Sequence, residues 1–253
     1  MEGTSDFTNN DVKRLRKNIY DARKKVLPAN PKNIAEVHET LNNLNTNTKQ
    51  GEPFLLINDE EKHIIIFTCE SNMGFLCEID DLYMDGTFKY AARFFMQMFT
   101  IHGIKNGHYI PLVFCLLPDK NMNTYINTFK FIVDKCSSIH LRLLPKSVNI
   151  DFEKSILNSV NAIWPQTKII GCRFYLTQAW YRQLQKLGLS TKYQNQSSEI
   201  GIWIRHTFGL LFLEPTEVTE YFVEDLMSNR PINKRVEKYS DYLLKNYIDK
   251  NSI

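Results

Sequence analysis

Apolar positions along this chain follow two rhythms. Val12, Leu15, Ile19 and Val26 recur at helical spacing and predict a helix over 11–27, and Ile34, Val37, Leu41 and Leu44 predict a second helix opened by Asn33. Pro28 and Pro31 separate the two. A polar stretch, 45–51, reads as a linker. Short apolar runs at 54–57 and 63–67 flank Asn58-Asp59-Glu60-Glu61, the pattern of a hairpin. Three more strands follow, roughly 81–86, 94–101 and 109–117, with turn signals at Gly86 and from Gly103 to Gly107. Beyond them the rhythm alternates. A helix over 125–136 carries Ile126, Phe129, Ile132 and Val133 on one side. A strand over 148–152 leads to a helix over 153–163 that stops at Trp164-Pro165. A strand over 168–172 leads to a helix over 176–187 closed by Gly188. The tail reads as three helices, near 198–208, 216–228 and 233–248.

Strands followed by crossover helices build a mixed α/β sheet flanked by helices on both faces. An N-terminal helical and hairpin segment precedes it and C-terminal helices follow. The organisation expected is a basic helical segment over 1–50, loose at 1–10, and one domain over 51–250. In such a sheet the strands at 81–86 and 148–152 lie side by side. Each ends in a carboxylate, Asp85 and Asp151. A carboxylate at the rim of a buried sheet is costly unless a cation meets it. Two together suit Mg²⁺ or Mn²⁺, which take oxygen ligands. The plain alternative is a pair of ordinary strand-end aspartates.

The 253 residues include 43% hydrophobic residues, enough for a substantial core, and the net charge is only +3. That balance permits nucleic-acid contact without requiring it. Lys13, Arg14, Arg16, Lys17, Arg23, Lys24 and Lys25 surround the first helix, a face that is either solvated or a DNA contact. The five cysteines are odd in number and lack zinc-finger or Cys-x-x-Cys spacing, which fits a reducing compartment, with Cys115 and Cys136 in the core. No secretory signal or membrane-spanning run is evident, so an intracellular protein, placed in the nucleus, is expected. Trp180, Tyr181 and Trp203 sit at helical spacing and read as core before base-stacking platforms.

Three segments taken together resemble a known family: Tyr83-Met84-Asp85-Gly86-Thr87-Phe88, then Asn149-Ile150-Asp151-Phe152-Glu153, then Gly171-Cys172-Arg173-Phe174-Tyr175-Leu176 with Gln178 and Leu187-Gly188-Leu189. In this order they look like the transposase domain of Mutator-like elements (MULE). Leu213-Glu214-Pro215 with Val218, Asp225-Leu226-Met227 and 241–248 look like its animal branch. The resemblance spans roughly 50–250. It implies an RNase H-like fold and a site of two Asp and one Glu holding two divalent metal ions, Mg²⁺ or Mn²⁺, that cut DNA at element ends and join it to a target. DNA is the implied partner, with a homodimer as a further expectation. No other cofactor and no membrane association are expected.

Carried over by residue, the resemblance makes Asp85 and Asp151 the first two acids and metal ligands. Glu220 fits best as the third, in a helix that Thr216 would cap. Glu217 and Glu224 are its rivals, and Glu199 is a weaker one. Gly86 would let the chain turn beside the metal, and Glu153 would favour the start of its helix, with a supporting catalytic role as the alternative. Two departures stand out. The family usually shows Cys-x-x-His where this chain has Cys172-Arg173-Phe174-Tyr175, and a phenol does not replace imidazole as a neutral nitrogen ligand. The Cys/His finger that often precedes the domain is not seen within 1–50. These features suggest a shortened or domesticated copy. The readings left open are an active transposase or its nuclease remnant, a silent DNA-binding or regulatory derivative, and a cellular nuclease of the same fold.

Overall fold

The computed structural model of the protein describes residues 8–26, 28–89 and 91–249. Most of the stretch expected to be loose, the last position of the predicted first helix, and Asn251-Ser252-Ile253 lie outside them. One sheet organises the chain. Its strands are β1 (Leu55–Asp59), β2 (Ile64–Phe67), β3 (Asp81–Thr87), β4 (Gln97–Lys105), β5 (His108–Leu117), β6 (Ser147–Ile150) and β7 (Lys168–Gly171), in the order β1-β2-β5-β4-β3-β6-β7. β3 pairs antiparallel with β4 and parallel with β6, and β6 pairs parallel with β7. This mixed sheet agrees with the RNase H-like expectation.

The connections follow from the pairing. The antiparallel β4–β5 hairpin closes through Asn106 and Gly107, both left-handed (φ 52° and 78°), as a two-residue turn of this kind requires. Gly103, expected at the turn, lies inside β4, where a side chain would strike Ile79. Parallel neighbours need crossovers. Helices α4 (Met122–Ser138) and α5 (Lys154–Ile163) provide them on either side of β6. Helix α3 (Glu70–Glu78), between β2 and β3, was not expected; only Met73 and Leu76 of it are buried. Ile64, Ile66, Leu82, Met84, Phe99, Val113 and Cys115 from the strands meet Tyr125, Phe129, Ile132, Cys136 and Val160 from the helices in one core. The five cysteines are free, with Cys115 and Cys136 buried as expected.

The N-terminal helices differ in attachment. α1 (Asn9–Val26) has no buried residue, whereas α2 (Ile34–Asn43) is tied to β1 through His38 and Asn58. After β7, helices α6 (Arg173–Lys186), α7 (Ser190–Gln194), α8 (Glu199–Gly209), α9 (Pro215–Tyr221) and α10 (Lys234–Leu243) enclose a second core. Leu184, Ile204, Phe222, Val236, Tyr239 and Leu243 fill it, and Trp180 and Trp203 are buried there as core residues. α9 starts at Pro215, one residue before the expected Thr216 cap, because proline is suited to the first helical turn. Tyr247 packs edge-on against both Phe152 and Trp180, so the tail reaches back to the end of β6. Among the described residues no helix is long and apolar enough to cross a membrane.

α8 lies against α7 closely enough to require glycine. A Cβ on Gly201 would sit 2.2 Å from the Lys192 carbonyl oxygen and 2.7 Å from that of Asn195. Gly201→Ala is therefore expected to destabilise the fold by about 1–3 kcal/mol, the usual range for overpacking, read from the midpoint of chemical denaturation.

Candidate active site

The parallel ladder between β3 and β6 sets the geometry. It pairs Asp81 with Ser147, Leu82 with Val148 and Tyr83 with Asn149, a constant offset of 66 residues. Asp85 and Asp151 each follow two residues after its last pair, and the Asp85 charge reaches Asp151. Period-two alternation buries Leu82 and Met84 on one face of β3 and leaves Tyr83 and Asp85 on the other. β6 ends at Ile150, so Asp151 stands one residue past the strand rather than within it as expected. The structure thus brings the two predicted aspartates together, and each charge acts on the same small region.

Asp151 is the strained member of the pair. Burial raises its pKa above the ordinary value, and the negative charges of Glu153 and Asp85 add to the rise. The Glu153 backbone N–H and the Lys120 ammonium pull the other way. Asp85 has a direct partner: the Tyr175 phenol donates a 2.7 Å hydrogen bond to Asp85 Oδ1. The Cys172 N–H bonds to the Ile150 carbonyl, so α6 begins beside the end of β6 with Tyr175 in its first turn. Burial and the bond to Asp85 raise the Tyr175 pKa, which keeps the phenol a neutral donor. His102 of β4 bonds through Nε2 to Thr100 Oγ1, and burial lowers its pKa against the pull of Asp85.

Glu153 does not cap α5 with its side chain. It accepts from Lys120 Nζ at 3.0 Å and from Tyr125 Oη at 3.4 Å. The ammonium offsets the charge of Glu153 next to Asp151, and the phenol adds a neutral hydrogen bond. Gln97 Nε2 donates to the same Tyr125 oxygen at 2.9 Å. Gly86 does not turn the chain; it continues β3, paired with Phe99. Glycine is needed there because a Cβ would meet Gln97 Oε1 at 2.6 Å. Lys120, Tyr125 and Gln97 were missed in the sequence. Nothing in the spacing of Pro118-Asp119-Lys120-Asn121 marks a lysine that reaches another loop. Tyr175 was noticed, but only as a departure from a pattern.

The helix glutamates belong to the C-terminal helical unit. Glu217 and Glu220 are exposed on α9, Glu224 is exposed in the turn that continues it, and Glu199 is exposed at the start of α8. Glu220 is not among the groups whose charge shifts Asp151. Among the described residues no set of three or more His, Cys, Asp or Glu is arranged to hold a metal ion. The donor chemistry of Asp85 and Asp151 nevertheless fits a hard divalent cation. Mg²⁺ commonly takes one or two carboxylates and completes its shell with water and substrate phosphate. The raised pKa of Asp151 marks a carboxylate whose charge is under-compensated, which a cation would relieve.

That charge has a cost for the fold. The folded protein binds the Asp151 proton more tightly than the unfolded chain, so stability is lost as pH rises through the folded-state pKa. Asp151→Asn is expected to melt at a higher temperature than the wild type near neutral pH. The gap should close below the ordinary carboxylate value of 3.8, where both chains are neutral at this position. Thermal melts across that range check it.

No curated protein and no solved structure matches the chain. Residues 82–179, which run from the strand of Asp85 to the helix of Tyr175 and stop before the four helix glutamates, match the family model described as the MULE transposase domain.

Proposed function

We propose that this protein is a DNA transposase of the DDE type, acting on phosphodiester bonds at element ends with a divalent metal ion, Mg²⁺ or Mn²⁺. The observation that supports the proposal is the parallel β3–β6 ladder, whose last pair, Tyr83 with Asn149, lies two residues before each aspartate, together with the effect of the Asp85 charge on Asp151. Asp85 and Asp151 would hold the metal. A bound ion of this kind activates an attacking water or 3′-hydroxyl and stabilises charge on the phosphate. The chain's own groups prepare the site around it. Tyr175 steadies Asp85 with a neutral O–H, Lys120 and Tyr125 hold Glu153 aside, and His102 stays neutral on the adjoining strand. Glu220 keeps the place of third acid that the resemblance gives it, while Glu153 is the carboxylate already beside Asp151.

Charge distribution favours DNA as the partner. Residues 9–26 contain seven Lys or Arg and two Asp, a net +5, so with +3 overall the rest of the chain carries −2. The positive excess is thus concentrated on α1, whose residues are exposed. A second reading, a silent DNA-binding derivative, is favoured by one specific observation: the Tyr175 hydroxyl occupies an oxygen of Asp85 that a metal would use.

Nicking of supercoiled plasmid in Mg²⁺ or Mn²⁺ separates the two. Asp85→Asn and Asp151→Asn are each expected to cut at least about 100-fold more slowly, the scale of losing a group that stabilises transition-state charge. A matching loss in Glu220→Gln with none in Glu153→Gln assigns the third acid to α9, and the reverse assigns it to Glu153. A wild type that binds DNA and leaves it uncut would establish the silent reading. In either case, neutralising Arg23, Lys24 and Lys25 should flatten the salt dependence of DNA binding, by about 0.9 in the log–log slope for each phosphate contact removed. Fluorescence anisotropy over a salt series measures this.

A further inference from the structure

Lys120 is placed where neither its sequence neighbours nor its own loop explains it. It lies between β5 and α4, yet its ammonium stands 3.0 Å from Glu153 Oε2, beyond the end of β6, and 3.8 Å above the ring centre of Phe88, beyond the end of β3. It also acts on Asp151, lowering that carboxyl's pKa against burial. The loops that follow the two acid-bearing strands therefore converge on one cation. Its side chain keeps 37% of its surface exposed.

An ammonium has three N–H donors. One is spent on Glu153, and the charge also rests against the negative face of the Phe88 ring. A donor and the charge remain for a ligand in the open site. A structural ion pair alone would need only Glu153. Holding the ammonium over an aromatic ring adds a fixed position, which matters for a compact, strongly hydrated charge on a flexible stem.

We propose that Lys120 is a contact for a DNA phosphate at this site, with Glu153 and Phe88 as the groups that position it. This deepens the reading of Asp85 and Asp151 as a phosphodiester site and rests on it. The geometry gives Lys120 two duties. It compensates the acid cluster while DNA is absent, and it takes a phosphate oxygen when DNA arrives.

The test uses the full chain and a short DNA duplex in EDTA, so that no metal or cleavage enters the readout. Lys120→Met is expected to bind several-fold more weakly and to lower the slope of log affinity against log salt by about 0.9, the signature of one lost phosphate contact. Lys120→Arg should keep the wild-type slope. Glu153→Gln should keep it too, because the ammonium remains. A Lys120→Met slope equal to wild type overturns the proposal. So does a Glu153→Gln variant that reproduces the Lys120→Met loss, since Lys120 would then serve only its carboxylate partner. Thermal melts confirm that each variant is folded. Failure of the nicking assay in Mg²⁺ would instead count against the cleavage chemistry, leaving the phosphate contact to be decided by the slope.

Discussion

The parallel pairing of β3 with β6 is the interaction on which the site depends. Backbone hydrogen bonds fix the register, and a slip of one residue would turn every side chain of β6 to the opposite face. The register is secured from both sides. Leu82 and Val148 are paired neighbours and both are fully buried, so a slip would expose one of them. At the start of the ladder the backbone N–H groups of Lys146 and Ser147 both bond to the Asp80 carbonyl, and Ser147 Oγ reaches the Asp81 carboxylate. Apolar and polar contacts several residues away thus fix the register that leads to the two acids.

Once aligned, the carboxylates repel. The surroundings answer with different partners: a neutral phenol on Asp85, an ammonium and a second phenol on Glu153, and a backbone N–H with the more remote Lys120 charge on Asp151. The direct ion pair thus falls on Glu153 and not on the more buried Asp151. Structural ion pairs tend to the opposite arrangement, with the most buried charge best paired. Perturbed carboxylates of this kind are found at functional sites and in structural ion-pair networks alike.

Much of this was legible in the sequence. The strands carrying Asp85 and Asp151, the crossover helices and the tail helices follow from apolar rhythm, and the pairing of the two acids follows from strand order. What escaped had physical causes. α3 buries only Met73 and Leu76, too few for a periodic signal. The β3–β4 connection hid the start of β4, which begins at Gln97, three residues after a left-handed Phe94. Gly86 was taken for a turn because glycine usually signals one; here it makes room for the buried Gln97 amide, a long-range contact that no local pattern records. Glu153 and Lys120 illustrate the same limit. They are 33 residues apart, and their meeting depends on how two loops end at one edge of the sheet.

α6 joins the two interiors of the molecule. Its first turn places Tyr175 on Asp85, while Leu176, Trp180 and Leu184 anchor the same rod among the C-terminal helices. A movement of the tail helices by about 1 Å is enough to pull a 2.7 Å hydrogen bond beyond its useful range. The hold on the first aspartate therefore depends on the packing of the C-terminal helices as well as on the sheet.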